Sequence, residues 1–164
     1  CAKKFKLDYV VRVTGDAIFC DEHMLSKAIN SHLSTNSDVT FIKNMPYGTA
    51  KEVISTRVLK VINDKSVNKK DTEYLEFFLE KKNYFKINYI KSNYKFNKNI
   101  RLTLDFPQDR VLFDKIYRYF NDKHSNFSLE DVLNYLKAMP QLIKINSFLK
   151  PKFDKKQINT ELSI

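Results

Sequence analysis

The chain has 164 residues, 43% hydrophobic and 13% aromatic, which suits one domain with a sizeable core and excludes collagen-like, low-complexity and disordered classes. No apolar run approaches the roughly 18 residues that span a bilayer, and the N-terminus lacks the layout of a secretory signal, so a cytoplasmic protein with no membrane partner is expected. The net charge of +10 raises nucleic acid and other anions as partners, yet lysines scattered through every segment supply most of it, and arginine occurs only at positions 12, 57, 101, 110 and 118, so a solvated surface is expected, with nucleic-acid binding weak, salt-sensitive and indifferent to sequence.

The chain opens on Cys1 rather than methionine and runs at once into AKKFKLDYVVRVTGD, the pattern of a helix tail entering a buried strand. On that ground it is expected to be the C-terminal part of a longer protein. Asp8 to Thr14 has a β-branched apolar centre and stops at Gly15, as a buried strand does. Asp21 then caps a helix in which Met24, Leu25, Ala28, Ile29 and Leu33 recur at helical spacing. Asp38 to Lys43 is a short strand, NMPYGT a turn, and EVI its extended continuation into a helix capped by Ser55 and holding Val58, Leu59 and Ile62. With Gly15 and Gly48 the only glycines, no glycine-rich phosphate loop is present in these residues.

KKDTEYLEFFLEKK reads as helix, and in YFKINYIKS the alternation of Phe85, Ile87 and Tyr89 with Lys86, Asn88 and Ile90 reads as a half-buried strand. A polar loop from Asn93 to Asn99 leads to RLTLD, a further strand. PQDRVLFDKIYRYF is a helix with Pro107 in its first turn and Val111, Leu112, Ile116 and Phe120 inward. Ser128 and Asp131 form a near capping box for the helix in SLEDVLNYLKAM, a second short helix follows Pro140, and the tail from Pro151 is polar and loose. Strands alternating with helices indicate an α/β fold.

Asp16 and Asp105 are both expected just past strand ends, where open α/β sheets bind ligands. Two such carboxylates converging about 4 to 6 Å apart would hold one Mg²⁺ through oxygen, with substrate phosphates completing its shell. The alternative for each is an ordinary cap or turn aspartate. Cys20 with His23, His32 and His124 gives no four-ligand zinc set, so the histidines are read as helix-surface residues. The aromatics among Tyr84 to Phe96 are read as strand packing rather than as a base-stacking platform.

VVRVTGDAIFCD resembles the segment VVRVTGDCPLID of the spore-coat polysaccharide type of cytidylyltransferase, a relative of the CMP-Kdo and CMP-sialic acid synthetases. RLTLDFPQDRVLFDKIY is similar to that family's RLTVDTPEDFELIRKIY, MPYGTAKEVISTRVL to its YPRGLDVEVFSFEAL, and FSLEDVLNYLKAMPQLIKIN to its C-terminal helices, in the same order from about Lys3 to about Asn146. The resemblance implies a partial glycosyltransferase-A-like mixed sheet flanked by helices. It implies boundaries at 1–122 for the C-terminal part of the nucleotidyltransferase domain, 123–150 for a helical extension and 151–164 for the tail.

The resemblance also implies the reaction: a sugar hydroxyl attacks the α-phosphate of CTP, pyrophosphate leaves, and Asp16 and Asp105 fall on the two metal-ligand aspartates. Arg12, Glu52 and Arg101 are the matched candidates for contacting substrate, with a structural ion pair the alternative for either arginine. Ala17 and Ile18 replace the family's CP, Phe106 its threonine, and near Asp71 its histidine has no counterpart, only Tyr74 matching. Its phosphate-binding loop with serine, arginine and lysine also has no match, so the 164 residues alone are expected not to activate a sugar. The rivals are a basic module that binds an anionic partner, and a degenerate relative kept as a homodimer through its C-terminal helices.

Overall fold

The computed structural model describes residues 1–67, 75–123, 126–149 and 162. Four strands form one sheet in the order β1-β3-β2-β4, with β1 at Tyr9–Val11, β2 at Val39–Lys43, β3 at Val53–Ser55 and β4 at Ile87–Lys91. β3 runs antiparallel to β1 and β2, and β2 parallel to β4, so β1, β2 and β4 share one direction. The segments that follow those three strands therefore gather at one end of the sheet, the end at which ligands bind in folds of this kind.

Helix α1 (Glu22–Thr35) starts where expected, with the Asp21 carboxylate accepting from the Met24 N–H at 3.0 Å. It covers one sheet face, burying Met24 and Ala28 against Ile42 and Val53. On the opposite face α2 (Thr56–Lys65) and α3 (Leu75–Leu79) bury Val58, Ile62, Phe78 and Leu79 against Val39, Phe41 and Ile54. A third cluster joins α4 (Pro107–Asn121), α5 (Leu129–Ala138) and a 3₁₀ helix (Pro140–Ile145) to Phe19, Ile100 and Leu102. The apolar stripe of α5 (Leu129, Val132, Leu133, Leu136) is thus buried within the chain itself. Ser128 and Asp131 close a full capping box at its start.

Several expectations need correcting. The first strand ends at Val11 rather than Thr14 and is half-buried at the sheet edge. Residues 2–6 form turns, not a helix tail. The RLTLD segment makes no ladder: Arg101 forms one isolated parallel bridge with Tyr47. Ser55 is the α2 N-cap by position, but its hydroxyl makes no capping bond. Val111 and Leu33 are exposed, at 47% and 54%, because their neighbours Leu112 and His32 take the buried positions on α4 and α1. In β4 both faces are covered, Ile87 packing toward α2 and Ile90 toward α1, so strict alternation fails. The DTEY segment, Tyr74 included, and the expected loose tail lie outside the described residues, except Leu162, which is buried and forms an isolated antiparallel bridge with Ser66.

His32 corrects the surface reading of the histidines, while His23 is exposed and His124 lies outside the described residues. His32 is 4% exposed, its Nδ1 lies 3.0 Å from the Thr40 hydroxyl, and the Tyr9 ring and the Asp38 carboxylate are its aromatic and charged neighbours. Burial holds the imidazole below its ordinary value, and Asp38 opposes this only in part. The unfolded chain therefore takes up this proton first. Stability should be full above the unfolded value of about 6.5 and fall as the pH drops through it toward the lower folded value. Urea unfolding between about pH 7 and about pH 5 should show this fall, and His32→Gln should flatten it. An unchanged acid limb in the variant would contradict the assignment.

Gly48 is the one glycine whose backbone demands its residue type. It has φ +94°, and a Cβ there would stand 2.6 Å from the Leu102 carbonyl oxygen and 2.7 Å from the Thr103 Cβ. The turn after β2 can approach the 101–105 segment only through this missing side chain. Gly48→Ala is expected to lower stability by about 2 kcal/mol or more, combining left-handed strain with the displacement of residues 102 and 103. A denaturant midpoint within error of the parent would contradict this.

Candidate active site

The 101–105 segment is held on both sides at the ligand-binding end of the sheet. The Leu102 N–H donates to the Tyr47 carbonyl at 2.8 Å, and the Leu104 N–H donates to the Asp16 carbonyl at 3.0 Å. These two bonds bring the loop after β1 beside the segment that carries Asp105. The side chains meet at Thr103, whose hydroxyl lies 2.8 Å from Asp16 Oδ2 and 3.4 Å from Asp105 Oδ2. One hydroxyl therefore spans the gap between the two aspartates that the sequence singles out. They reach it from loop segments rather than from strand ends.

The two carboxylates are held differently. Burial pushes the Asp16 carboxyl up, but hydrogen bonds from the Thr14 and Thr103 hydroxyls and the nearby Lys51 charge outweigh it, leaving the group below the usual carboxylate range. Asp105 keeps 32% of its side chain exposed; Arg101 Nη2 donates to its Oδ2, and the Thr103 hydroxyl, whose one proton is better placed for Asp16, lies 3.4 Å from the same oxygen. Two carboxylate oxygen donors, partly open to solvent, are the chemistry a hard divalent cation requires. Two carboxylates alone leave most of such a shell to water or substrate, and among the described residues no group of three or more histidine, cysteine or acidic side chains converges.

Behind Asp105 stands a buried network. Arg101 is 4% exposed, and Asp109, the third residue of α4, is fully buried. Asp109 accepts from Arg101 Nε at 2.9 Å, Arg101 Nη2 at 3.2 Å, the N–H groups of Asp105 and Phe106 at 3.0 and 2.9 Å, and Asn146 Nδ2 at 2.8 Å. Burial raises the Asp109 carboxyl, and these donors more than reverse it. The guanidinium also faces the Tyr47 and Phe106 rings, at 5.1 and 5.4 Å from their centroids. Arg101 is therefore occupied as an ion pair, the alternative open for it from sequence, rather than directed at substrate.

Glu52 and Arg12 come together at the same end of the sheet. Val11 pairs with Val53, so the next residues on each strand, Arg12 and Glu52, are brought alongside. Burial raises the Glu52 carboxyl, and the nearby Lys51 and Arg12 charges only partly offset it. Lys51 also acts on Asp16 and on the Cys20 thiol, which burial raises. Behind the loop carrying Asp16, a separate cavity of about 670 Å³, lined in part by Cys20, Asp21, Tyr94, Tyr117, Phe127 and Glu130, includes neither Asp16 nor Asp105.

Thr103, Asp109, Asn146 and Lys51 were not singled out from sequence. Asp109 had a local signal, an acid three residues after the position preceding Pro107, which marks a helix start. Asn146 had none.

The fold matches that of known proteins. A family model described as cytidylyltransferase matches residues 1–146, and the chain belongs to that family. It is 27% identical over 153 residues to an uncharacterised protein of Methanocaldococcus jannaschii, covering 92% of this chain and 62% of that protein. It is 25% identical over 140 residues to the spore coat polysaccharide biosynthesis protein SpsF of Bacillus subtilis, covering 82% of this chain and 57% of that protein. The chain thus spans about six-tenths of the length of these relatives. A solved cytidylyltransferase structure from Leptospira borgpetersenii serovar Hardjo-bovis superposes with a TM-score of 0.78 at 20% identity, over 91% of this chain and 64% of that one. The mixed α/β sheet flanked by helices is therefore the cytidylyltransferase nucleotide-sugar transferase fold. Among the described residues no helix is long and apolar enough to cross a membrane.

Proposed function

We propose that the chain carries the metal-binding and sugar-facing side of a CTP-dependent sugar nucleotidyltransferase that activates a sugar for surface polysaccharide or glycan synthesis. The observation that carries this reading is the Thr103 hydroxyl shared by Asp16 and Asp105 at the ligand-binding end of the sheet. Family membership supports the nucleotidyl transfer, and the similarity to a spore coat polysaccharide biosynthesis protein supports the sugar. In the reaction a sugar oxygen forms a bond to the α-phosphorus of CTP, the bond from that phosphorus to the bridging oxygen breaks, pyrophosphate departs, and the hydroxyl proton passes to solvent.

Asp16 and Asp105 would hold Mg²⁺, which supplies charge neutralisation and alignment of phosphate oxygens when bound. Among the described residues the polar contacts of the Asp105 carboxylate fall on Oδ2, leaving Oδ1 for a ligand, and the Thr103 hydroxyl sits between the two carboxylates. Arg12 and Glu52 are assigned to the substrate side, where a cation beside a half-buried carboxylate suits recognition of sugar hydroxyls or an acidic group. No side-chain nucleophile is needed, because in-line displacement depends on positioning and electrostatics.

The test is pyrophosphate release by the full gene product with CTP, Mg²⁺ and a panel of acidic and neutral sugars. Release that requires both CTP and one class of sugar is expected. Residues 1–164 alone should give none, since no segment here resembles the loop that seats the nucleotide. Turnover by these residues alone would put the nucleotide site within them and overturn that division. A full gene product that binds CTP yet releases no pyrophosphate with any sugar would overturn the function.

A further inference from the structure

Asn146 closes the 3₁₀ helix at the far end of the described chain and is fully buried. Its side-chain amide donates twice, to Asp109 Oδ1 at 2.8 Å and to the Arg101 carbonyl at 3.0 Å. These acceptors flank the short stretch that carries Asp105, one four residues before it and the other four residues after it. The C-terminal layer is thereby fastened to both ends of the turn that presents the carboxylate.

Asp109 is the hub of this turn. Its two oxygens receive both sides of the Arg101 guanidinium, the N–H groups of Asp105 and Phe106, and the Asn146 amide. Arg101 Nη2 in turn holds Asp105 Oδ2. With the Asn146 donor on Oδ1, the Asp109 carboxylate is fixed in rotation, so Oδ2 remains aimed at the two N–H groups that set the backbone at Asp105. Without it, the buried Arg101 carbonyl loses its amide partner and Asp109 Oδ1 keeps only the Arg101 Nε donor, so the carboxylate and the 101–105 backbone are held less tightly at that end.

We propose that Asn146 is a positioning residue for the reaction, acting through Asp109 and Arg101 to fix the orientation in which Asp105 meets the metal and the phosphates. This rests on the role assigned to Asp105 above. Groups that hydrogen-bond a metal ligand directly change metal affinity or activity by about 10- to 100-fold when removed; Asn146 acts one contact further out, so an effect at the lower end, about 10-fold, is expected. A residue that only packed the C-terminal layer would change stability alone.

The experiment uses the full gene product with two substitutions. Asn146→Asp keeps the shape and sets a carboxylate against Asp109, and Asn146→Leu removes both donors without adding charge. For each, melting, steady-state kinetics and Mn²⁺ affinity in the presence of CTP, read from the electron paramagnetic resonance signal of the free ion, are compared with the parent and with Asp105→Asn. The expected result is a kcat about 10-fold lower with KM little changed, and Mn²⁺ binding about 10-fold weaker, in protein that still melts above the assay temperature.

Unchanged kcat and Mn²⁺ affinity with only a lowered melting temperature would overturn the inference, as would failure of both variants to melt cooperatively, which would mark Asn146 as a core residue only. If Asp105→Asn weakens turnover and Mn²⁺ binding while the Asn146 variants do not, only the positioning role falls. If Asp105→Asn also leaves both unchanged, the role of Asp105 falls with it.

Discussion

Asp105→Asn in the full gene product is expected to lower turnover by about 100-fold or more while leaving the fold nearly intact. The two halves of this expectation have separate physical grounds. Activity falls because a carboxylate oxygen that would hold the cation against the phosphates is replaced by a neutral amide, a weaker ligand for a hard divalent ion. The fold survives because Asp105 is partly exposed, and the buried Arg101 guanidinium keeps its bonds to Asp109 when the Asp105 charge is removed. Steady-state pyrophosphate release together with thermal melting checks both. An unchanged rate removes Asp105 from the site, and a collapse in melting temperature would show its charge to be structural instead.

Asp109→Ala should behave in the opposite way, as a failure of folding before a failure of chemistry. The substitution takes away the best-placed partner of a buried guanidinium and leaves the Asp105 and Phe106 N–H groups and the Asn146 amide without their acceptor. Removing one partner of a buried pair costs about 3 to 5 kcal/mol, because the remaining charge stays desolvated. For a chain of this size that is a large fraction of the total stability. Urea unfolding should show the midpoint falling steeply. A loss below about 1 kcal/mol would mean that Asp105 alone satisfies Arg101, and the network would not be the support described.

How far the sequence made this legible depends on the distance over which each feature acts. The starts of α1, α4 and α5 were readable because Asp21, Pro107 and the Ser128–Asp131 pair act within one turn of their own helix. The approach of Asp16 to Asp105 was readable because each sits at a strand-like segment beside a characteristic string. The short first strand was not, since β-branched residues at positions 10, 11 and 13 continue the pattern beyond the point where the chain leaves the sheet. Nor was the irregular 101–105 segment, whose alternation is that of a strand although its backbone bonds go to Tyr47 on one side and Asp16 on the other. His32 was hidden because a hydroxyl on β2, eight residues away, makes its burial acceptable. The Asp109 hub was only half visible, as a helix-start acid, and Asn146 not at all, because its partners lie 37 and 45 residues earlier in the chain.

The same reasoning accounts for Phe106, which stands where the resembled family has threonine. The Phe106 ring centroid lies 5.4 Å from the Arg101 guanidinium carbon, a cation–π contact beside that of Tyr47 which a threonine could not make. The departure changes how the buried cation is shielded while leaving both carboxylates in place.

The central claim is that Asp16 and Asp105 together form the cation site that organises the nucleotide phosphates. Crystals of the full gene product grown with Mn²⁺ and CTP, measured for the anomalous signal of manganese, test it most directly. The account predicts one ordered manganese peak within ligand distance of oxygens from both Asp16 and Asp105, lost in crystals of Asp105→Asn. A peak that touches neither carboxylate while CTP is seated in the protein would contradict it.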